Sequence, residues 1–202
     1  MGVKVKRNGA GPEGTCMKSM MQVVAGFLIL FLGGCAIQQP SKSVVYEKET
    51  VETCFNRGVA NSQKGEYGKT IADYNKAIEI NPKFAVAYLN RGFTYRKLGE
   101  YDNAISDYNK AIEINPRYAI AYNNRGYAYR TKGGYGKAIA DYNKAIEIDP
   151  GYAAAYYNRG VAYYHKGEYD TAWEDVHKAQ RLGYPVSPGF LKTLCETSEG
   201  QK

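Results

Sequence analysis

Between residues 51 and 186 apolar residues recur at helical spacing, in pairs of short stretches. Tyr88, Gly92 and Tyr95 stand at i, i+4 and i+7, and Ala104, Tyr108 and Ala111 repeat that spacing, flanked by Ile105 and Ile112. Each set falls on one face of a helix, so each stretch is predicted to be helical and amphipathic. Lys64-Gly65, Leu98-Gly99, Lys132-Gly133 and Lys166-Gly167 separate the first stretch of each pair from the second. Glycine just past a helix end supplies the left-handed stop. Asn81-Pro82, Asn115-Pro116 and Asp149-Pro150 close the second stretches, because proline lacks an N–H and disfavours helical geometry in its predecessor. The pattern predicts antiparallel helix pairs without strands, an all-α fold.

The pairs are copies of one another. Asn-Arg-Gly occurs at 56–58, 90–92, 124–126 and 158–160, an interval of 34 residues each time. Asp-Tyr-Asn-Lys-Ala-Ile-Glu-Ile recurs at 73–80, 107–114 and 141–148 with the same period. Tyr88, Arg91, Gly92, Tyr95, Ala104, Tyr108 and Pro116, and one period later Tyr122, Arg125, Gly126, Tyr129, Ala138, Tyr142 and Pro150, follow the spacing of a known repeat. The chain resembles the tetratricopeptide-repeat family over roughly residues 51–184, with arginine in place of the usual leucine and tyrosine for the aromatic anchors. The resemblance implies a right-handed α-solenoid of four hairpins, 51–84, 85–118, 119–152 and 153–186. Its ends drift: Cys54 and Asn61 replace tyrosines in the first repeat, while Trp173 and Val176 replace isoleucine and tyrosine in the fourth. Terminal repeats must face water or a cap, so drift is expected there. Residues 187–202 are expected to form a capping helix around Phe190, Leu191 and Leu194, then a frayed tail.

The first fifty residues have another character. Lys18 precedes an apolar run from Val23 to Leu32. Ten helical residues reach about 15 Å, half of a ~30 Å hydrocarbon core, so the run fits a signal h-region better than a span. Leu32-Gly33-Gly34-Cys35 follows and resembles the lipobox of bacterial lipoproteins. That resemblance implies cleavage after residue 34, palmitate and diacylglyceryl groups on Cys35, and a stable lipid anchor. Ala36 at the next position implies the outer membrane, facing the periplasm. Residues 1–34 are thus a leader, with translation expected to start at Met17, and 35–50 a lipidated tether. Gly9 to Gly14 matches a GxGxxG string, but no strand precedes it, which excludes dinucleotide binding.

The formal net charge of +7 shrinks on processing: from Cys35 onward 23 Lys and Arg face 19 Asp and Glu, a net of +4. These charges are interspersed, so nothing points to nucleic acid. Cys54 and Cys195 should lie at opposite ends of the stack, about 30 Å or more apart, too far to pair. His165 and His177 have no carboxylate or thiol at ligand spacing, and no catalytic string occurs. No metal, no cofactor and no enzymatic activity are expected.

Two side-chain series repeat with the period. Arg57, Arg91, Arg125 and Arg159 precede Asp73, Asp107, Asp141 and Asp175 by sixteen residues, and a ladder of ion pairs between helices or repeats is expected. Asn56, Asn90, Asn124 and Asn158 stand where first helices of the family line a concave groove. The resemblance implies that such asparagines bond the backbone of an extended peptide. Phe93 and Lys97, Tyr127 and Thr131, and Val161 and His165 share that face, with Phe55, Arg96, Arg130 and Tyr157 beside them. The expected partner is a protein or peptide with apolar anchors and some acidic character. The function read from the chain is a membrane-anchored scaffold. The alternatives are a pilot or assembly chaperone for a secretion, pilus or envelope complex, an adaptor of a peptidoglycan hydrolase, or a self-associating structural repeat.

Overall fold

The computed structural model describes residues 49–199, and the leader, Cys35 and most of the tether lie outside them. Among the described residues there are nine helices and no strands. They are α1 (Val51–Gln63), α2 (Tyr67–Ile80), α3 (Ala85–Lys97), α4 (Tyr101–Ile114), α5 (Ala119–Thr131), α6 (Tyr135–Ile148), α7 (Ala153–Lys166), α8 (Tyr169–Arg181) and α9 (Pro188–Glu199). The first eight form four antiparallel hairpins, and α9 packs on α8. The fold is an all-α solenoid. No helix among the described residues is long and apolar enough to cross a membrane.

The local signals act where the sequence puts them. The hairpin turns run through glycines at positive φ, Gly99 at +79° for example, a conformation that costs a side-chain-bearing residue strain. At the other turns Asn81, Asn115 and Asp149 are extended. The side-chain oxygen of each accepts a backbone N–H two residues on, from Lys83, Arg117 and Gly151, at 2.9–3.1 Å. The side chain thus satisfies a donor that the broken helix cannot. α1 starts with a reciprocal side-chain box between Thr50 and Thr53, and at the start of α9 Ser187 Oγ accepts the Phe190 N–H at 3.2 Å.

Within a hairpin, close approach depends on a glycine facing a tyrosine. Tyr74, Tyr108 and Tyr142 are the largest buried side chains. A Cβ on Gly58, Gly92 or Gly126 would lie 2.6–2.8 Å from the Cε1 of the respective ring. In the fourth hairpin Val176 fills the tyrosine's place, with its Cγ2 2.8 Å from the corresponding position on Gly160. Between them runs a seam of fully buried alanines, among them Ala87, Ala104, Ala111, Ala121 and Ala138. At the far end Leu194 of α9 is fully buried against Ala172 and Val176. α9 is therefore the cap over the apolar face that a fifth repeat would otherwise cover.

Each second helix packs on the first helix of the next repeat, and first helices of neighbouring repeats, α3 with α5 and α5 with α7, also touch. Second helices have no comparable mutual contact, so the array bends with its first helices on the inner side. That bend brings the inner faces of α3, α5 and α7 together as one continuous surface.

Candidate functional site

Two sets of side chains are assembled by this stacking. The first lies between the hairpins' helices. Arg91 donates from Nε to Asp107 Oδ2 at 2.8 Å and from Nη2 to Oδ1 at 2.6 Å. Arg125 grips Asp141, and Arg159 grips Asp175, in the same two-armed way at 2.6–2.8 Å. The third arm reaches back one repeat: Nη1 donates to Asn75, Asn109 and Asn143 respectively, at 2.6–2.7 Å. Each guanidinium also lies 5.4–5.5 Å over the ring of the tyrosine three residues earlier, Tyr88, Tyr122 or Tyr156. The hydrogen bonds to the aspartates raise all three arginine pKa values further. These clusters fasten consecutive repeats to one another.

The asparagines of the Asp-Tyr-Asn-Lys motif were the missed half of this arrangement. Asn75, Asn109 and Asn143 were legible only as part of a repeated string, although the string loses its asparagine at His177, where no further repeat follows. The first repeat has no predecessor, and Glu49 takes the asparagine's part, accepting from Arg57 Nη2 at 2.9 Å and from Lys76. Asn61 donates to Asp73 Oδ2 at 2.8 Å while Arg57 holds Oδ1. This explains a polar residue where the siblings carry tyrosine.

The second set lies on the inner face. The Arg96 guanidinium sits 4.6 Å from the ring centroid of Phe93 in its own helix and 4.6 Å from that of Tyr127 in the next repeat. Arg130 lies 4.9 Å from Tyr127, and Lys97 lies 5.5 Å from Phe93. Cations and rings thus alternate across two repeats, an attraction worth about 0.5–2 kcal/mol per contact. Beneath them Tyr108 and Tyr142 are fully buried. Burial pushes both phenols well above the ordinary range, while Arg96 and Arg130 pull them partly back.

The four asparagines of the Asn-Arg-Gly motif do not behave alike. Asn90 Nδ2 donates to Val86 O in its own helix at 2.9 Å, and Asn158 Nδ2 donates to Asn123 Oδ1 across the repeat boundary at 3.0 Å. Asn56 is exposed and Asn124 half-buried. The margin of the same face carries Val86 and Ile120, 36 % and 46 % exposed. Phe55 packs on Tyr74 and Phe84 at one end, and Tyr157 on Tyr184 and Phe190 at the other.

The remaining candidates are spent on structure. His165 stacks on Tyr135 at 5.4 Å, and His177 packs edge-on against Trp173 at 4.1 Å. No cluster of three or more metal-ligating side chains occurs among the described residues. A notch of about 670 Å³ at the third hairpin turn carries Lys132, Lys137 and Lys166. Lys132 is paired with Asp102 and Lys166 with Glu168, so most of its charge is already answered.

Tetratricopeptide-repeat family models match residues 85–118, 58–99 with 126–167, and 107–140, together reaching from 58 to 167. The chain belongs to the tetratricopeptide-repeat family, a class of protein–protein interaction scaffolds. Its fold is similar to a crystal structure of MamA, at 33% identity and a TM-score of 0.62 over 65% of this chain and 77% of that one. A second crystal structure of MamA matches at 26% identity and a TM-score of 0.65 over 74% of this chain and 82% of that one. It is also similar to the first TPR of Spaghetti (RPAP3) bound to the HSP90 peptide SRMEEVD. That match has 26% identity and a TM-score of 0.56 over 57% of this chain and 92% of that one. A search of curated protein sequences finds no match.

Proposed function

We propose that this protein is a lipid-anchored, non-enzymatic scaffold that holds an extended segment of a partner protein against the inner faces of α3, α5 and α7. The observation that carries the binding half is the alternating row Lys97, Phe93, Arg96, Tyr127 and Arg130, which crosses two repeats with exposed Val86 and Ile120 at its margin. Rings and exposed aliphatic side chains supply anchors, and ordered cations supply direction. The peptide seated on the TPR of Spaghetti supports the same mode of use. Support for the anchoring half comes from the sequence alone: an apolar run ending in Leu32-Gly33-Gly34-Cys35, followed by Ala36. On this reading the protein sits on the outer membrane of a bacterial envelope and faces the periplasm.

Photo-crosslinking residues placed at 86 and 120 in the native envelope test the binding half, with position 113 on the exposed side of α4 as control. One defined adduct from 86 and 120, absent from 113, is the expected result. Self-adducts alone would turn the reading toward a self-associating structural protein. For the anchor, Cys35→Ser should release the protein from the membrane fraction; retention there would remove the lipid from the proposal.

A further inference from the structure

Charge is sorted between the two kinds of helix. α3, α5 and α7 contain no Asp or Glu at all, while every second helix carries them, as do three of the four hairpin turns, at Glu66, Glu100 and Glu168. The cations of the first helices divide into two groups. Arg91, Arg125 and Arg159 are neutralised by the aspartates they grip, and Lys166 at the end of α7 is paired with Glu168. Arg96, Lys97 and Arg130, on the inner face, take part in no ion pair among the described residues. Lys97 is exposed, but Arg96 and Arg130 are half-buried, and half-buried cations without counter-charge are unusual, because desolvation has a cost that a partner normally offsets. Stacking fixes where the guanidinium groups sit, so little side-chain entropy remains to be lost when an anion arrives.

We infer that this surface selects an acidic protein segment in extended, polyproline-II-like form, with two carboxylates three residues apart, one met by Arg96 and the other by Arg130. The inference rests on the groove reading above and names its partner class. Geometry sets an upper bound that this spacing meets. Both guanidinium groups contact the single ring of Tyr127, at 4.6 and 4.9 Å, so they stand within roughly 10 Å of one another, about one helix-packing distance. A polyproline II chain turns once in three residues with a rise near 3.1 Å, so side chains at i and i+3 share a face about 9 Å apart. Val86 and Ile120 lie ten residues N-terminal to Arg96 and Arg130, about 15 Å across the face. A nucleic-acid strand fits less well, because the cations form one short row rather than a track.

The test is a fluorescence-anisotropy titration of the full chain with short, terminally blocked, proline-rich peptides. One carries Glu at i and i+3, a second Glu at i and i+1, and a third Gln at both i and i+3. The first should bind about tenfold tighter than the Gln peptide, a difference that two half-exposed charged contacts can supply. It should also exceed the adjacent-Glu peptide. Arg96→Gln and Arg130→Gln should each erase most of that preference while lowering the melting temperature by only a few degrees, the share of the lost ring contacts, and Arg96→Lys should retain part of it. Equal binding of the Glu and Gln peptides to wild-type protein overturns the acidic selectivity while leaving the groove reading in place. A crosslinked partner segment without acids at i and i+3 overturns it as well. Tighter binding of a single-stranded oligonucleotide through the same arginines would replace the protein segment. If no peptide binds and positions 86 and 120 capture nothing, the groove reading itself falls.

Discussion

Arg91 and Asp107 face each other through two parallel hydrogen bonds, and the same guanidinium reaches Asn75 in the repeat before at 2.6 Å. One side chain thus joins three helices. The Asp107 side chain is only 6 % exposed and that of Arg91 19 %, so the pair works in a medium where removing one member strands the other. Asp107→Ala should cost about 3 kcal/mol and lower the melting temperature by roughly 6–12 °C. Asn75→Ala, which leaves the carboxylate pair intact, should cost about 1 kcal/mol. Thermal melts of the two variants and their double mutant check this; an unchanged melting temperature for Asp107→Ala would mean that the ladder adds no stability.

Two glycine substitutions should move stability in opposite directions. Gly92→Ala places a Cβ 2.8 Å from the buried Tyr108 ring and 3.1 Å from Asp107 Cβ, and overpacking of this kind costs about 1–3 kcal/mol. Gly136→Ala, in the first turn of α6, meets nothing within 4 Å. It should stabilise by about 0.5–1 kcal/mol through helix propensity and a less free unfolded chain. Urea unfolding midpoints of the pair distinguish local packing from propensity.

Alkali should unfold this protein through its buried phenols. Burial pushes Tyr74 up to about 12, and Tyr108 and Tyr142 higher still. The unfolded chain releases these protons near pH 10 while the folded chain keeps them, so the unfolded state binds fewer protons and stability falls with rising pH. The contribution is whole below pH 10 and is lost progressively toward and beyond pH 12. Each such tyrosine adds up to about 1.4 kcal/mol per pH unit to the slope. Tyr142→Phe should flatten the decline of melting temperature above pH 10 by one tyrosine's share.

Leu194 is the one fully buried side chain among those described in α9. Leu194→Ala should cost about 2–4 kcal/mol, concentrated at the C-terminal end. Hydrogen exchange should then speed up in α9 and α8 before it does in α3 and α4. Uniform acceleration along the array would show instead that the repeats unfold as one unit.

Helices, turns and repeat number could be read from the chain because each rests on local physics. Proline after Asn81 stops a helix wherever it occurs, and glycine at 99 accepts positive φ without help from a neighbour. The Arg91–Asp107 pairing was also within reach, since sixteen residues across a hairpin of known register place the two side by side. The link to Asn75 was not, because it crosses a repeat boundary whose rotation no local spacing encodes. The same boundary decides that Arg96 lies between Phe93 and Tyr127, and that Asn158 is engaged by Asn123 instead of standing free on the groove.

By itself the sequence determined an all-α array with a period of 34 residues, punctuated by Gly and Asn-Pro, because helix propensity, stop signals and apolar spacing act within a few residues. Only the tertiary structure decided what the repeats share: a guanidinium fastened to two second helices, and a row of unpaired cations threaded between rings on the inner face. Those contacts depend on the distance and rotation between hairpins, which are set by how each second helix meshes with the first helix of the next repeat along the alanine seam, as Ala121 does against Tyr108 and Ala111. A one-dimensional pattern names the residues that can meet across such a boundary, and packing selects the ones that do.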